Sequence, residues 1–152
     1  MKILEVLHKE TILTDLKSTD KKGVLAELVV PVAKMTGIDR EKLIRILMER
    51  ERLGSTGIDG GIGIPHGKLK ELNSPVIGFG LSKKGVNFES MDGRPTHIFF
   101  LLCTPENSTG LHLKLLARIS RLLKNEGLKK KLKTISTKEE VISIIEADDE
   151  DF

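Results

Sequence analysis

His66 is the one strongly functional side chain in the stretch STGIDGGIGIPHG, Ser55 to Gly67, and five of these thirteen residues are glycine. Glycine admits positive φ and close backbone approach, so Gly57, Gly60, Gly61, Gly63 and Gly67 can gather amides into an anion-binding concavity suited to a phosphoryl group. The loop matches no nucleotide fingerprint. Gly61-Ile62-Gly63 runs into Ile64-Pro65-His66 where a dinucleotide motif needs a closing glycine, and Gly67-Lys68 is followed by Leu69 where a Walker loop needs Ser or Thr. Pro65 fixes its own φ and biases Ile64 toward extended geometry, which predicts that His66 is presented from a stiffened strand end. The alternative is a glycine-rich turn with an incidental histidine.

Of the other histidines, His8 is expected in an N-terminal helix and exposed, and His97 begins an apolar strand; neither is given a role. His112 shares a helical stripe with Leu115, Leu116, Ile119 and Leu123. It is either a satisfied core residue or one aimed into a site at the core's edge. The lone Cys103 lies in an apolar run and reads as a small buried hydrophobe, with no disulfide, Cys-rich metal site or redox role. A metal module built on His66 and His112 lacks a nearby carboxylate or thiolate cluster, so no metal and no cofactor are expected.

The elements that position these residues follow from periodicity. A short N-terminal helix precedes a strand at Thr11 to Leu16. Leu25, Leu28, Val29 and Val32 then share a helix face, with Ser18, Thr19 or Asp20 as cap, Gly37 as stop, and Pro31 arguing for a kink or break. A second helix starts at Asp39, buries Leu43, Ile44, Leu47 and Met48, turns Arg45, Glu49 and Arg52 outward, and ends at Gly54. Three strand-like runs follow: GIGIP, PVIGFGL and THIFFLLC. The last is apolar from Ile98 to Cys103, as in a strand covered on both faces. GLHLKLLARISRLLKNEG predicts a helix ending near Gly127, and shorter helices follow around Glu126 to Lys133 and Lys138 to Glu146. Helices before, between and after strands imply an α/β domain with a central sheet covered by helices.

At 152 residues with 39% hydrophobic content, the chain has the size of one domain with a proper core. Its apolar runs stop far short of the roughly 20 residues needed to cross a bilayer, and MKILEVLHKE lacks signal-peptide design, so a cytoplasmic protein is expected. The net charge of +3 hides an asymmetry: five of the 22 acids lie in the tail EADDEDF, leaving 25 bases against 17 acids in the body. That body suits an acidic protein partner, a phosphate or simply a solvated surface. With 3% aromatics and neither Trp nor Tyr, base-stacking platforms are scarce, and nucleic acid is not an expected partner. LKKKLK, Leu128 to Lys133, reads as the polar side of a short helix, and the acidic end as a frayed, solubilising tail.

Three segments, ERERLGSTGIDGGIGIPHGKL, FESMDGRPTHIFFLLCTPEN and HLKLLARISRLLK, closely resemble the enzyme IIA family of the phosphoenolpyruvate-dependent phosphotransferase system, in its fructose, mannitol and nitrogen-regulatory branch. The resemblance implies a three-layer α/β/α sandwich with a mixed sheet over residues 1–147, followed by an acidic tail at 148–152. It implies that His66, in the PHG motif, is phosphorylated on the nitrogen far from the backbone. Arg50, in RERLGSTG, matches an assisting arginine, although on its helix it also reads as solvated. His112 matches a second histidine packed near the first. Ser55, Thr56, Gly61, Gly63 and Gly67 are the expected phosphate-binding loop, and Asp59 and Gly63 stand where relatives often carry other small residues.

The residues agree with such roles. Imidazole is neutral near pH 7 and forms a labile phosphoryl bond. If the nitrogen nearer the backbone donates to a carbonyl, the far nitrogen keeps its lone pair, while glycine amides, Arg50 and His112 stabilise the transferring oxygens. The implied partners are an HPr-type phosphocarrier upstream and, downstream, a IIB component or a regulated protein target, with a membrane reached only indirectly through a transporter. With no IIB or IIC segment in the sequence, a free subunit or regulator is expected, and RERLGSTGI with LARISRLL looks most like the nitrogen-regulatory branch.

Overall fold

In the computed structural model, which describes residues 1–149, the run THIFFLLC is the middle of the sheet. The elements are a 3-10 turn (Ile3–Glu5), β1 (Leu7–Leu13), α1 (Lys21–Thr36), α2 (Arg40–Arg52), β2 (Gly57–Ile58), β3 (Ile62–Gly63), β4 (His66–Leu69), β5 (Val76–Val86), β6 (Thr96–Pro105), α3 (Thr109–Leu122), α4 (Glu126–Lys133) and α5 (Lys138–Asp149). The sheet has six strands in the order β1-β5-β6-β3-β2, with β4 also on β6. It is mixed: β1 runs parallel to β5, β5 antiparallel to β6, and both β3 and β4 parallel to β6.

Alternate residues of β6 explain its unbroken apolar run. Ile98, Phe100 and Leu102 pack with Leu115, Ile119, Leu132 and Val141 of α3, α4 and α5. Phe99, Leu101 and Cys103 pack with Leu25, Leu28, Leu43 and Leu47 of α1 and α2. Two cores on opposite faces make the three-layer α/β/α sandwich. Edge-to-face ring pairs join β6 to its surroundings on each side, Phe79 with Phe100 at 5.3 Å and Phe88 with Phe99 at 5.1 Å. Burial pushes the Cys103 thiol up to about 12, as befits an inert core residue.

Local sequence chemistry sets the helix ends. The carboxylates of Asp20 and Asp39 accept from the amides of Gly23 and Lys42, and the Asn125 side chain accepts from that of Leu128. Gly37 closes α1 at φ 76°. The expected break at Pro31 does not occur, and α1 runs through it. Val24, Leu25, Leu28, Val29 and Val32 are at most 1% exposed; burying each is worth about 1.5–3 kcal/mol, against about 3 kcal/mol for one interior proline.

Four boundaries differ from the sequence reading. The N-terminal helix is only a 3-10 turn, and the first strand starts at Leu7, which places exposed His8 in β1. The expected strand at Thr11 to Leu16 overlaps the second half of β1, and a register shift between Leu7 and Ile12 breaks the alternation that would have revealed the first half. The run GIGIP is not one strand: β3 stops before Pro65, which has no N–H for a ladder, and β4 resumes at His66 in the same register on β6. Helix α3 ends at Leu122, not near Gly127, because Asn125 caps α4. Helix α5 continues to Asp149; the remainder of the acidic tail, residues 150–152, lies outside the described residues.

Candidate active site

Parallel pairing with β6 fixes the backbone at His66. The Leu102 amide donates to the Pro65 carbonyl at 3.0 Å, and His66 lies opposite Leu102. The half-buried imidazole turns back on its own chain, where Nδ1 meets the Ile64 carbonyl oxygen at 2.8 Å. A carbonyl only accepts, so the proton sits on Nδ1 and the lone pair on Nε2. Arg50, in the last turn of α2, donates from Nε to that Nε2 at 3.2 Å and from Nη1 to the Gly54 carbonyl at 2.9 Å.

His112 enters from the first turn of α3. Its ring centroid lies 5.4 Å from that of His66, with the planes at 61°. It is 5% exposed, and its Nδ1 is 2.6 Å from the Thr104 hydroxyl at the end of β6. The two readings of His112 therefore coincide, since it is buried and hydrogen-bonded and also forms one wall of the site. Lys68, two residues beyond His66, reaches Thr109 at the start of α3 with 3.1 Å between Nζ and Oγ1.

Electrostatics keep both rings neutral near pH 7. Burial lowers the His66 pKa below its ordinary 6.5; the Ile64 carbonyl opposes the shift, Arg50 adds to it, and Glu51 opposes it more weakly. His112 is pushed down to about 4, first by burial and then by the positive charge of its neighbours His66 and Lys68.

The structure thus gathers His66, His112 and Arg50, while the five loop residues shape the surrounding backbone. The Ser55 hydroxyl donates to the Phe88 carbonyl at 2.9 Å and accepts from the Gly57 amide at 3.0 Å. Thr56 is buried, with its amide and hydroxyl both on the Glu51 carboxylate. Gly61 lies in the β2–β3 turn, where its carbonyl accepts from the amides of His97 and Ile98. Within the stretch only Gly60 and Gly61 have positive φ. Gly63 and Gly67 instead permit close approach: a Cβ on Gly63 would lie 3.0 Å from the Phe99 ring, and one on Gly67 would lie 2.8 Å from Ile46 Cγ2 of α2. The second contact seats α2 on β4 and so brings Arg50 to His66.

Three participants escaped the sequence reading. Thr104 holds His112, the Ile64 carbonyl sets the tautomer of His66, and Glu51 anchors the loop. Glu51 sits in the run ERERLG among charges that read as solvent-facing; the signal that could have found it is its place four residues after Leu47 and eight after Leu43, on the buried face of α2. Among the described residues no group of three or more His, Cys, Asp or Glu is placed to hold a metal ion, and no helix is long and apolar enough to cross a membrane.

Fold and cluster together define a mixed α/β sandwich that sets a histidine pair and an arginine at the edge where β4 meets α2 and α3. The chain belongs to the EIIA type 2 family of the phosphoenolpyruvate-dependent sugar phosphotransferase system, whose model matches residues 5–148. A nitrogen regulatory protein from Bradyrhizobium diazoefficiens is 39% identical over 145 residues, spanning 95% of each chain. The fructose-specific EIIABC component from Bacillus subtilis is also 39% identical, over 98% of this chain but 24% of its own length, so the chain spans about a quarter of that relative. The crystal structure of the nitrogen regulatory protein IIA-Ntr from Neisseria meningitidis superimposes with a TM-score of 0.88 at 30% identity, covering 93% of this chain and 97% of that one.

Proposed function

We propose that this chain is a phosphohistidine carrier that accepts a phosphoryl group on Nε2 of His66 from the phosphohistidine of an HPr-type carrier. The observation that carries the reading is the bond from Nδ1 of His66 to the Ile64 carbonyl, which leaves Nε2 as the nucleophile on a half-buried ring. The Nε2 lone pair attacks phosphorus as the P–N bond to the donor imidazole breaks, and that bond's electron pair returns to the donor nitrogen. The phosphoryl group keeps its three oxygens, and His66 gives up no proton. The positive charge that its ring acquires is stabilised at Nδ1–H by the Ile64 carbonyl. Arg50 passes from Nε2 to the transferring oxygens, and His112 offers a neutral wall beside them.

Similarity to nitrogen regulatory proteins over more than nine-tenths of the chain supports a regulator whose binding to protein targets depends on phosphorylation. Equal identity to a fructose-specific component supports a second reading, in which the phosphoryl group passes on to a cysteine of a IIB component. Both roles are cytoplasmic and reach a membrane only through a transporter.

The test is incubation of the purified protein with phosphoenolpyruvate, enzyme I and an HPr-type carrier. An acid-labile, base-stable label on the wild type and none on His66→Ala is the expected result. No label with either sugar-type or nitrogen-type carriers would make the chain a binding module that retains the fold without the chemistry. Chase of the label onto an added IIB component would select the second reading.

A further inference from the structure

We propose that Glu51 is a positioning residue for His66, acting through Thr56 and Ile64; the inference rests on the phosphocarrier reading above. Glu51 is 6% exposed although it lies in a run of charged residues. Its carboxylate accepts from Lys21 Nζ at 3.0 Å, from the Thr56 amide at 3.0 Å and from the Thr56 hydroxyl. Thr56, held at both its amide and its side chain, presents its carbonyl to the Ile64 amide at 3.1 Å. Ile64 then presents its own carbonyl to Nδ1 of His66 at 2.8 Å. An unbroken path of hydrogen bonds thus runs from Lys21 at the start of α1, through the end of α2, to the atom that sets the tautomer of the nucleophile.

Two features mark this path as more than a fastening. Lys21 is itself 7% exposed and lies over the Phe88 ring at 5.0 Å, so both charges are withdrawn from water. A buried ion pair adds little net stability over apolar packing of similar volume, so stability alone does not account for it. Glu51 also adjoins Arg50, and its carbonyl accepts from the Gly54 amide while Arg50 Nη1 donates to the Gly54 carbonyl. One turn of chain therefore aims the arginine at Nε2 from one side and, through Glu51, holds the Nδ1 acceptor on the other. Small misplacements at a reacting centre reduce rate far more than they reduce stability.

The test separates positioning from folding by reading the His66 tautomer through ring 15N shifts alongside the rate of label acceptance. Lys21→Met with Glu51→Leu removes both charges and leaves Thr56 without its acceptor. The expected result is a folded protein whose His66 is a mixture of neutral tautomers and whose rate falls about 10-fold or more. Lys21→Met with Glu51→Gln keeps a carbonyl acceptor for Thr56 and restores the Nδ1–H tautomer and most of the rate. Val141→Ala, in α5, which packs on β1 and α4, lowers stability without moving the tautomer. The Nδ1–H tautomer and wild-type rate in the folded Leu variant would overturn the proposal, as would an equal tautomer shift in Val141→Ala. Should the Leu variant not fold, Thr56→Val serves: a shifted tautomer with a slower rate supports the path, and no change in either overturns it. Wild-type protein that takes no label while its tautomer still responds to Glu51 would refute the carrier reading and leave the positioning intact.

Discussion

Arg50 holds the lone pair of His66 at rest: its Nε lies 3.2 Å from Nε2, and its Nη1 is tied to the Gly54 carbonyl at 2.9 Å. In the proposed carrier role the guanidinium is already at the atom that would receive the phosphoryl group, and little reorganisation would be needed to meet the incoming negative charge. Arg50→Ala removes this donor, and both acceptance and onward transfer are expected to slow about 10- to 100-fold. Arg50→Lys restores charge without the planar fork and recovers only part of the rate. Rapid-quench measurement of label transfer from a phosphorylated HPr-type carrier checks this; an unchanged rate in Arg50→Ala would return the residue to the solvated helix surface.

His112 and Thr104 form the other wall. His112→Ala removes the ring that packs against His66 at 5.4 Å and leaves the buried Thr104 hydroxyl without its partner. The expected outcome is measurable but slower label acceptance, with a stability loss of about 1–3 kcal/mol from the unpaired polar group. Thr104→Val keeps the ring but frees its orientation, so its effect on rate is smaller. Wild-type kinetics in both variants would remove His112 from the site.

The fold class and the fixed backbone at His66 were legible in the sequence because they rest on local patterns. The apolar run at Ile98 to Cys103 announced a strand covered twice, and Pro65 before His66 announced a fixed backbone. Pairing decided what stayed hidden. Strand β4 became visible only once β6 supplied a partner in register with His66, and the first half of β1, before Thr11, hid behind a register shift. Glycine composition was legible, but its use divided. Gly60 and Gly61 turn the chain, while Gly63 and Gly67 admit a ring and a helix, a difference that depends on neighbours more than 20 residues away at Gly67 and Ile46. Glu51 was passed over because it is charged, although its spacing of four and eight residues from Leu47 and Leu43 puts it on the buried stripe of α2.

Gly67 connects packing to chemistry. A methyl group there would lie 2.8 Å from Ile46 Cγ2, too close to be absorbed without moving α2 or the isoleucine. Gly67→Ala should cost about 1–3 kcal/mol in a denaturant titration and slow label acceptance by displacing Arg50. Ile46→Ala removes the Cγ2 methyl itself and should recover part of both losses in the double variant. Recovery of stability without recovery of rate would mean that the spacing of α2 and β4 does not set the arginine.

Acid sensitivity follows from His112 with a definite sign. Its pKa is about 4 in the fold against an ordinary 6.5, so between those values the unfolded chain binds a proton that the folded chain refuses. Stability is unaffected by this group above pH 6.5 and is lost progressively as pH falls toward 4. At about 1.4 kcal/mol per pKa unit the loss is at most about 3.5 kcal/mol. The lowered pKa of His66 works in the same direction, as do exposed carboxylates such as Glu71 and Glu139 that are held by lysines, so a single acid titration does not isolate His112. Comparison with His112→Gln does, because glutamine can still bond Thr104 but does not titrate. The variant should lose less stability than the wild type between pH 6.5 and 4, with the two curves parallel at higher pH. Parallel curves throughout would mean that His112 takes up its proton as readily inside the fold as outside it.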